Sequence, residues 1–368
     1  VAEAARRSGG AWAVLTSVDA VCYASGLEVG IEAGPSPFAG GPVTALVSPE
    51  GAVGLVVTNL EEPAARACGV PEVRAYEGLG FERQAPYLDN YARALEDLAG
   101  AMGVGGVVAV EERTTPSSVG ALLEGCAAGV VGIDAALDRL RAVKTDEEIA
   151  RLRRSAELTA VGQRAALHAA RAGRTELEVF ADVRLAMESA AGRRLPVTGD
   201  LLSGRERTAQ RMGWPGNRPL EPGDPVLCDL APRLDGYWGD SCNTLVVGSP
   251  SRAFLGLVDG AREGLEHAVG TLRPGISAGA FARGVQDVIE GRGLSNRLHV
   301  GHGIGTSVHE FPRLVPGEAA LLEPGMVLMV EPGAYDPAVG GVRLEWMFLV
   351  TEDGCEVLSP FEHTLEPA

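Results

Sequence analysis

The chain has 368 residues, 46% hydrophobic and 22% charged, with 32 basic against 49 acidic residues and a formal net charge of −17. That length exceeds the ~250–300 residues at which one core usually stops growing, so two domains are expected, and the ordinary hydrophobic content excludes general disorder. The acidic balance opposes nucleic-acid phosphate and anionic membrane surfaces, so neither is expected as a partner. No run of ~18 apolar residues occurs, and the start, Val1-Ala-Glu-Ala-Ala-Arg-Arg-Ser8, lacks the basic-then-apolar pattern of a secretory signal. A cytoplasmic location is the expectation, although a start without Met is compatible with a removed presequence. Cys22, Cys68, Cys126, Cys228, Cys242 and Cys355 show no C-x-x-C spacing, which favours free buried thiols.

Residues 1–140 read as alternating strands and helices. Ala11 to Ala24 and Val43 to Leu60 are rich in Val, Leu and Thr, and Pro49-Glu50-Gly51 breaks the latter as a hairpin turn. A helix is expected near Pro86 to Met102, a buried strand at Gly105 to Glu111, and a helix from about Ser117. This predicts an α/β N-terminal domain.

A boundary falls near 140, where Arg141-Ala-Val-Lys-Thr-Asp-Glu-Glu148 changes the composition and Thr145 with Glu148 forms an S/T-x-x-E capping box. The helix it opens is expected to stop at Gly173, and Thr175 with Glu178 starts another that ends near Gly192. A second helix pair is expected over Arg252 to Leu272 and Ala278 to Gly291. Apolar strands are expected at Pro225 to Leu230, Thr244 to Val247, Met326 to Val330 and Met347 to Thr351. Residues 141–368 therefore read as an α+β domain.

One internal repeat bears on function. Glu221-Pro-Gly-Asp-Pro-Val-Leu-Cys-Asp229 and Glu323-Pro-Gly-Met-Val-Leu-Met-Val-Glu331 share Glu-Pro-Gly, five residues, then an acid. A second acid follows each, Asp240 after 11 residues and Glu345 after 14. Duplicated halves facing each other would bring four carboxylates together. An acid at the end of an apolar strand is costly to bury unpaired, and cations are a natural partner. The glycines of Gly301-His302-Gly-Ile-Gly305 permit close backbone approach and a turn that sets the imidazole of His302 in a tight cleft.

These residues resemble the creatinase/aminopeptidase P/prolidase family, the proline-directed branch of the M24 metallopeptidases. The resemblance rests on Val226-Leu-Cys-Asp-Leu-Ala, Gly236-Tyr-Trp-Gly-Asp240, Gly301-His-Gly-Ile-Gly, Val308-His-Glu-Phe-Pro312, Glu331-Pro-Gly-Ala-Tyr and Gly341-Val-Arg-Leu-Glu345. It covers about Arg141 to the C-terminus, and the N-terminal domain fits in outline. It implies a creatinase-like α/β domain followed by an α+β pita-bread catalytic domain with a pseudo-twofold repeat. It also implies two divalent ions, with Asp229 on one, His302 and Glu331 on the other, and Asp240 and Glu345 bridging both. Four carboxylates balance two such cations in charge. Oxygen-rich ligation with one imidazole suits Mn²⁺ or Co²⁺, with Zn²⁺ also possible.

The implied reaction is hydrolysis of the bond preceding proline, in Xaa-Pro dipeptides (prolidase) or alternatively at the N-terminus of Xaa-Pro peptides (aminopeptidase P). Glu331 would shuttle the proton, and His309 would hydrogen-bond the substrate or the tetrahedral oxyanion. Arg343 has two readings, pairing with a substrate carboxylate or a salt bridge orienting Glu345. A homodimer is expected from the family, and Ala33 to Pro42 is a candidate loop across the cleft. Met212 stands where many relatives carry a histidine, Asn243 stands where they carry an arginine, and His299 precedes His302 by three residues rather than four. The competing classes are a metal-free creatinase-like hydrolase and a non-catalytic peptide-binding module. A methionine aminopeptidase fits less well, given the extra N-terminal domain.

Overall fold

In the computed structural model, which describes residues 1–30, 36, 39–296 and 298–365, the chain divides into two units, Val1–Leu140 and Arg141–Ala368. The first is built on a six-stranded mixed sheet in the order Glu72–Tyr76, Val53–Thr58, Thr44–Val47, Trp12–Leu15, Val107–Val110, Gly129–Gly132. Both faces are covered, and the period of two sorts the side chains. Trp12, Val14, Leu46, Val56 and Val108 enter one core with Tyr91, Leu95 and Leu98 of the helix Tyr87–Met102. Ala13, Leu15, Ala45, Leu55 and Ala109 enter the other with Val21, Ala65 and Leu137.

Ala11 to Ala24 is not one strand. Its strand ends at Leu15, and the hydroxyl of Ser17 accepts the N–H of Ala20 at 3.1 Å to cap a helix over Val18–Ser25. The hairpin at Pro49–Gly51 joins two antiparallel strands as expected. Ala33 to Pro42 lies in large part outside the described residues. None of the six cysteines forms a disulfide; Cys22, Cys228 and Cys242 are buried, whereas Cys68, Cys126 and Cys355 reach the surface. No helix among the described residues is long and apolar enough to cross a membrane.

The second unit opens with both capping boxes formed, Thr145 with Glu148 and Thr175 with Glu178. The first of these helices, Asp146–Ala169, ends before Gly173, at Ala170 in an extended conformation. This helix pair and the pair Arg252–Thr271 and Ala278–Gly291 each cover a set of antiparallel strands. Pro225–Asp229 pairs with Cys242–Val246, and Val327–Val330 pairs with Trp346–Val350. The two halves thus repeat one plan.

Alternation explains why the acids face away from the helices. Val226 and Cys228 join the core under the first helix pair, so Leu227 and Asp229 point the other way. Leu328, Val330, Phe348 and Val350 join the core of the second half, which leaves Glu331 and Glu345 on the opposite face. The expectation of a turn at Gly301–Gly303 is corrected, because these residues form a strand between Glu310–Leu314 and Val327–Val330. Their glycines serve close approach there: a Cβ at Gly301 would meet the Met329 carbonyl, and one at Gly303 the Phe311 carbonyl.

Candidate metal centre

Asp229, Asp240, His302, His309, Glu331, Arg343 and Glu345 all line one cleft of about 290 Å³ in the second unit. Strand pairing brings them there. Cys242 lies opposite Asp229 in register, and an isolated bridge joins Cys242 to Glu345 across the two halves. Glu331 follows its strand and donates its N–H to Val300 O at 2.8 Å. Asp240, Glu331 and Glu345 are buried, as is His302.

The buried acids disturb one another. Burial raises the Asp229 carboxyl to about 6, against the nearby Arg343 cation and with help from Asp200 and Glu331. Burial, then Asp229 and Glu331, pushes Asp240 well above the carboxylate range. Glu345 rises in the same way, from burial and then from Asp240, Glu331 and Asp229. Glu331 goes the other way: burial opposes its ionisation, but the hydrogen bond from His299 and the neighbours His302 and Arg343 hold it at about 2.

This donor set fits divalent cations. One atom each from Asp240, His302 and Glu345 lies within 4.8 Å of the others, and His299, His302 and His309 meet the same measure. The Nδ1 of His302 is 2.9 Å from the carbonyl of Gly303. A carbonyl can only accept, so Nδ1 carries the proton and Nε2 keeps its lone pair for the cleft. That Nε2 lies 3.6 Å from Glu331 Oε1 and 3.9 Å from Asp240 Oδ2. Burial lowers the ring to about 4, outweighing Glu331, so it is neutral at pH 7, the form a metal ligand needs.

Arg343 does not pair with Glu345. Its buried guanidinium lies 2.7 Å from Asp229, 3.3 Å from Asp200 and 3.7 Å from Glu331. Asp229 is reached because the strand Gly340–Arg343 runs beside Cys242–Val246, where Thr244 Oγ1 donates to Arg343 O and accepts from Arg343 N, both at 3.0 Å. His309 is exposed at the cleft, its ring centroid 4.2 Å from that of His302. The next residue, Glu310, is an inward carboxylate paired with Arg141 and, at 3.0 Å, with Lys144. Burial works against its charge, but Lys144 and Arg141 bring its pKa below the ordinary value.

Two cleft residues lie outside the site residues predicted from the sequence. His299 places Nε2 at 2.9 Å from Glu331 Oε1 and accepts at Nδ1 from Arg313 Nε at 3.2 Å. Asp200 joins Arg343 to the N–H of Gly213. Neither has a motif of its own, and only the proximity of His299 to His302 in the chain gave a signal. Met212 does line the cleft, but Asn243 does not: it is buried on the far face of its strand, where Nδ2 donates to Thr364 O at 3.0 Å.

The chain is 29% identical to the Xaa-Pro dipeptidase of Pyrococcus horikoshii over 355 residues, 95% of each chain. It is 30% identical to the Xaa-Pro dipeptidase of Pyrococcus furiosus over 235 residues, 63% of this chain and 67% of that one. Among solved structures, the prolidase from Pyrococcus horikoshii OT3 matches with a TM-score of 0.82 at 26% identity, covering 99% of this chain and 98% of that one. An Xaa-Pro dipeptidase from Bacillus anthracis matches with a TM-score of 0.83 at 26% identity, covering 99% and 97%. The Pyrococcus horikoshii relative and the two solved structures match over both units, and they support the pita-bread architecture of the second. Residues 150–352 match the model of metallopeptidase family M24, and with the repeated strand plan and the acid cluster between its halves, the chain belongs to that family.

Proposed function

We infer that the protein hydrolyses the peptide bond preceding proline in Xaa-Pro dipeptides, using divalent ions held by Asp229, Asp240, His302, Glu331 and Glu345. The observation that carries this reading is the cleft itself, where four carboxylates and a neutral imidazole converge in a chain whose relatives are Xaa-Pro dipeptidases. Two divalent ions would neutralise the four acids and, when bound, supply Lewis-acid polarisation of the scissile carbonyl and a nucleophile at neutral pH. The preference for Mn²⁺ or Co²⁺ follows from the oxygen-rich set.

The side chains divide the remaining work. Glu331, kept ionised by His299 and Arg343, accepts the proton of the attacking water and passes it to the leaving proline nitrogen. His309 lines the same cleft beside His302, and the partial desolvation of its ring on the cleft side lowers its pKa despite the pull of Glu331, so its neutral ring offers an N–H to the developing oxyanion. Arg343 orders Asp229 and Glu331; its ion pairs and burial favour this over capture of a substrate carboxylate. The homodimer, which rests on the resemblance, and the cytoplasmic location, which rests on the sequence pattern, belong to the same proposal.

The test compares Ala-Pro with Ala-Pro-Ala on protein loaded with Mn²⁺. Cleavage of the dipeptide with the tripeptide left intact is the expected outcome. Efficient tripeptide cleavage moves the protein to the aminopeptidase P reading. Less than one ion per chain with no turnover supports the metal-free or non-catalytic alternatives instead.

A further inference from the structure

The helix Asp146–Ala169 presents one polar row to the strands that carry the first two acids. Ser155, Thr159 and Gln163 recur at helical spacing and are all buried. Ser155 Oγ donates to Tyr237 O at 3.0 Å, and a Cβ added to Gly239 would meet the Ser155 carbonyl and Thr159. A Cβ added to Gly162 would meet Leu230. The helix is thus seated closely on the chain just before Asp240 and just after Asp229.

Gln163 ends the row beside both acids. Its Nε2 lies 3.2 Å from Cys228 O, 3.2 Å from Ser241 O and 3.0 Å from Ser241 Oγ. A reversed amide would set its oxygen against two carbonyls, which can only accept, so the orientation of the group is fixed. Cys228 precedes Asp229, and Ser241 follows Asp240. Ser241 passes the restraint on: its carbonyl accepts the N–H of Leu230 at 2.9 Å, and its own N–H donates to Asp240 Oδ1 at 2.9 Å. With Oδ1 held in this way, Oδ2 is the oxygen that lies 3.9 Å from Nε2 of His302.

Stability alone does not account for an amide at this position. Gln163 Oε1 is buried and has no hydrogen-bond partner among the described residues. Burying an acceptor without a partner is unfavourable, and an unbranched apolar side chain of the same length would fill the space without that cost. What the amide adds is a fixed point between two main-chain segments that each carry an acid.

We propose that Gln163 and Ser241 are positioning residues, which fix the main chain beside Asp229 and Asp240 and turn the Asp240 carboxylate so that Oδ2 faces the metal site. This inference rests on the reading of Asp240 as a metal ligand.

The experiment titrates Mn²⁺ into the chelator-stripped full chain by calorimetry, for the wild type, Gln163→Met, Ser241→Ala and Ser155→Ala, and records the electron paramagnetic resonance spectrum of each with two Mn²⁺ added per chain. In Gln163→Met the affinity should fall about tenfold, and the exchange-coupled signal of paired ions should give way to that of isolated Mn²⁺. Ser241→Ala, which leaves the two carbonyl contacts, should show a smaller loss in the same direction. Ser155→Ala removes a buried hydrogen bond from the same helix row but none beside the acids, so it should lower the melting temperature and leave Mn²⁺ binding at the wild-type value. Unchanged Mn²⁺ binding in a folded Gln163→Met, or an equal loss in Ser155→Ala, overturns the inference. If Gln163→Met does not fold, unchanged binding in Ser241→Ala overturns it instead. A wild type that binds no Mn²⁺ overturns the metal reading, and the inference with it.

Discussion

The backbone N–H of Glu345 donates to the carbonyl of Cys242 at 2.9 Å, and this bond joins the two repeated halves at the cleft. Each partner is tied to an acid. Cys242 faces Asp229 in the strand register and follows Asp240 by two residues, and Glu345 is an acid itself. His363 Nε2 lies 3.1 Å from the same Cys242 carbonyl, adding the C-terminal segment to the junction. The spacing of the carboxylates is therefore set by main-chain bonds, and their mutual repulsion is borne by a framework that does not yield.

That repulsion gives a pH dependence for protein stripped of ions with a chelator. The folded Asp229 carboxyl sits at about 6 against an ordinary 3.8, with burial the first cause, and Asp240 and Glu345 are raised with it. Groups with raised carboxyl values hold protons in the folded state that the unfolded chain releases, so these acids lower stability as pH rises from about 4 through 6, while His302 and His363, lowered by burial to about 4, work in the opposite direction over the same window. Asp229 alone accounts for about 3 kcal/mol over that window. Urea titrations in chelator from pH 4.5 to 7.5 should show Asp229→Asn gaining stability relative to the wild type as pH rises, because the variant lacks the acid's term and keeps the histidines'. A gap between the two proteins that stays constant with pH would contradict the electrostatic reading of the cluster.

Glu310 carries the opposite sign. Lys144 and Arg141 overcome its burial and keep it ionised, so its contribution is complete above the ordinary glutamate range and is lost as pH falls through its lowered value. Glu310→Gln leaves two buried cations short of a partner and should cost about 3–5 kcal/mol at pH 7. Urea denaturation measures it, and the gap to the wild type should narrow at pH 3. An unchanged gap at pH 3 would assign the loss to packing rather than charge.

Gly301→Ala tests the close approach beside His302. Its Cβ would meet the Met329 carbonyl, backbone against backbone, so a loss of about 3 kcal/mol or more is expected along with weakened Mn²⁺ binding. Gly100, in the helix Tyr87–Met102 with nothing within 4 Å of an added Cβ, is the control. Gly100→Ala should gain up to about 1 kcal/mol from helix propensity. Thermal melts of the two variants separate steric clash from the general effect of removing a glycine.

Much of this was legible in the chain. Both capping boxes, the helix pairs, the hairpin at Pro49–Gly51 and the two Glu-Pro-Gly strands were readable, because caps, turns and periodicity are set by residues within a few positions of one another. The acids could be picked out as carboxylates that end apolar strands. The helix at Val18–Ser25 was missed because its apolar residues resemble a strand, and only the cap at Ser17 distinguishes them. At Gly301–Gly303 the pattern alone does not separate a turn from a strand, because glycine signals both a turn and close packing.

The sequence by itself determined the repeat, the acids it delivers and the face of each strand they occupy, since alternation and spacing are local properties of the chain. Tertiary structure alone decided that Arg343 serves Asp229 rather than Glu345, that His299 reaches Glu331, and that Asn243 turns away from the cleft. Those outcomes depend on which strands lie side by side and in what register, a relation between residues far apart in the chain that no local pattern encodes.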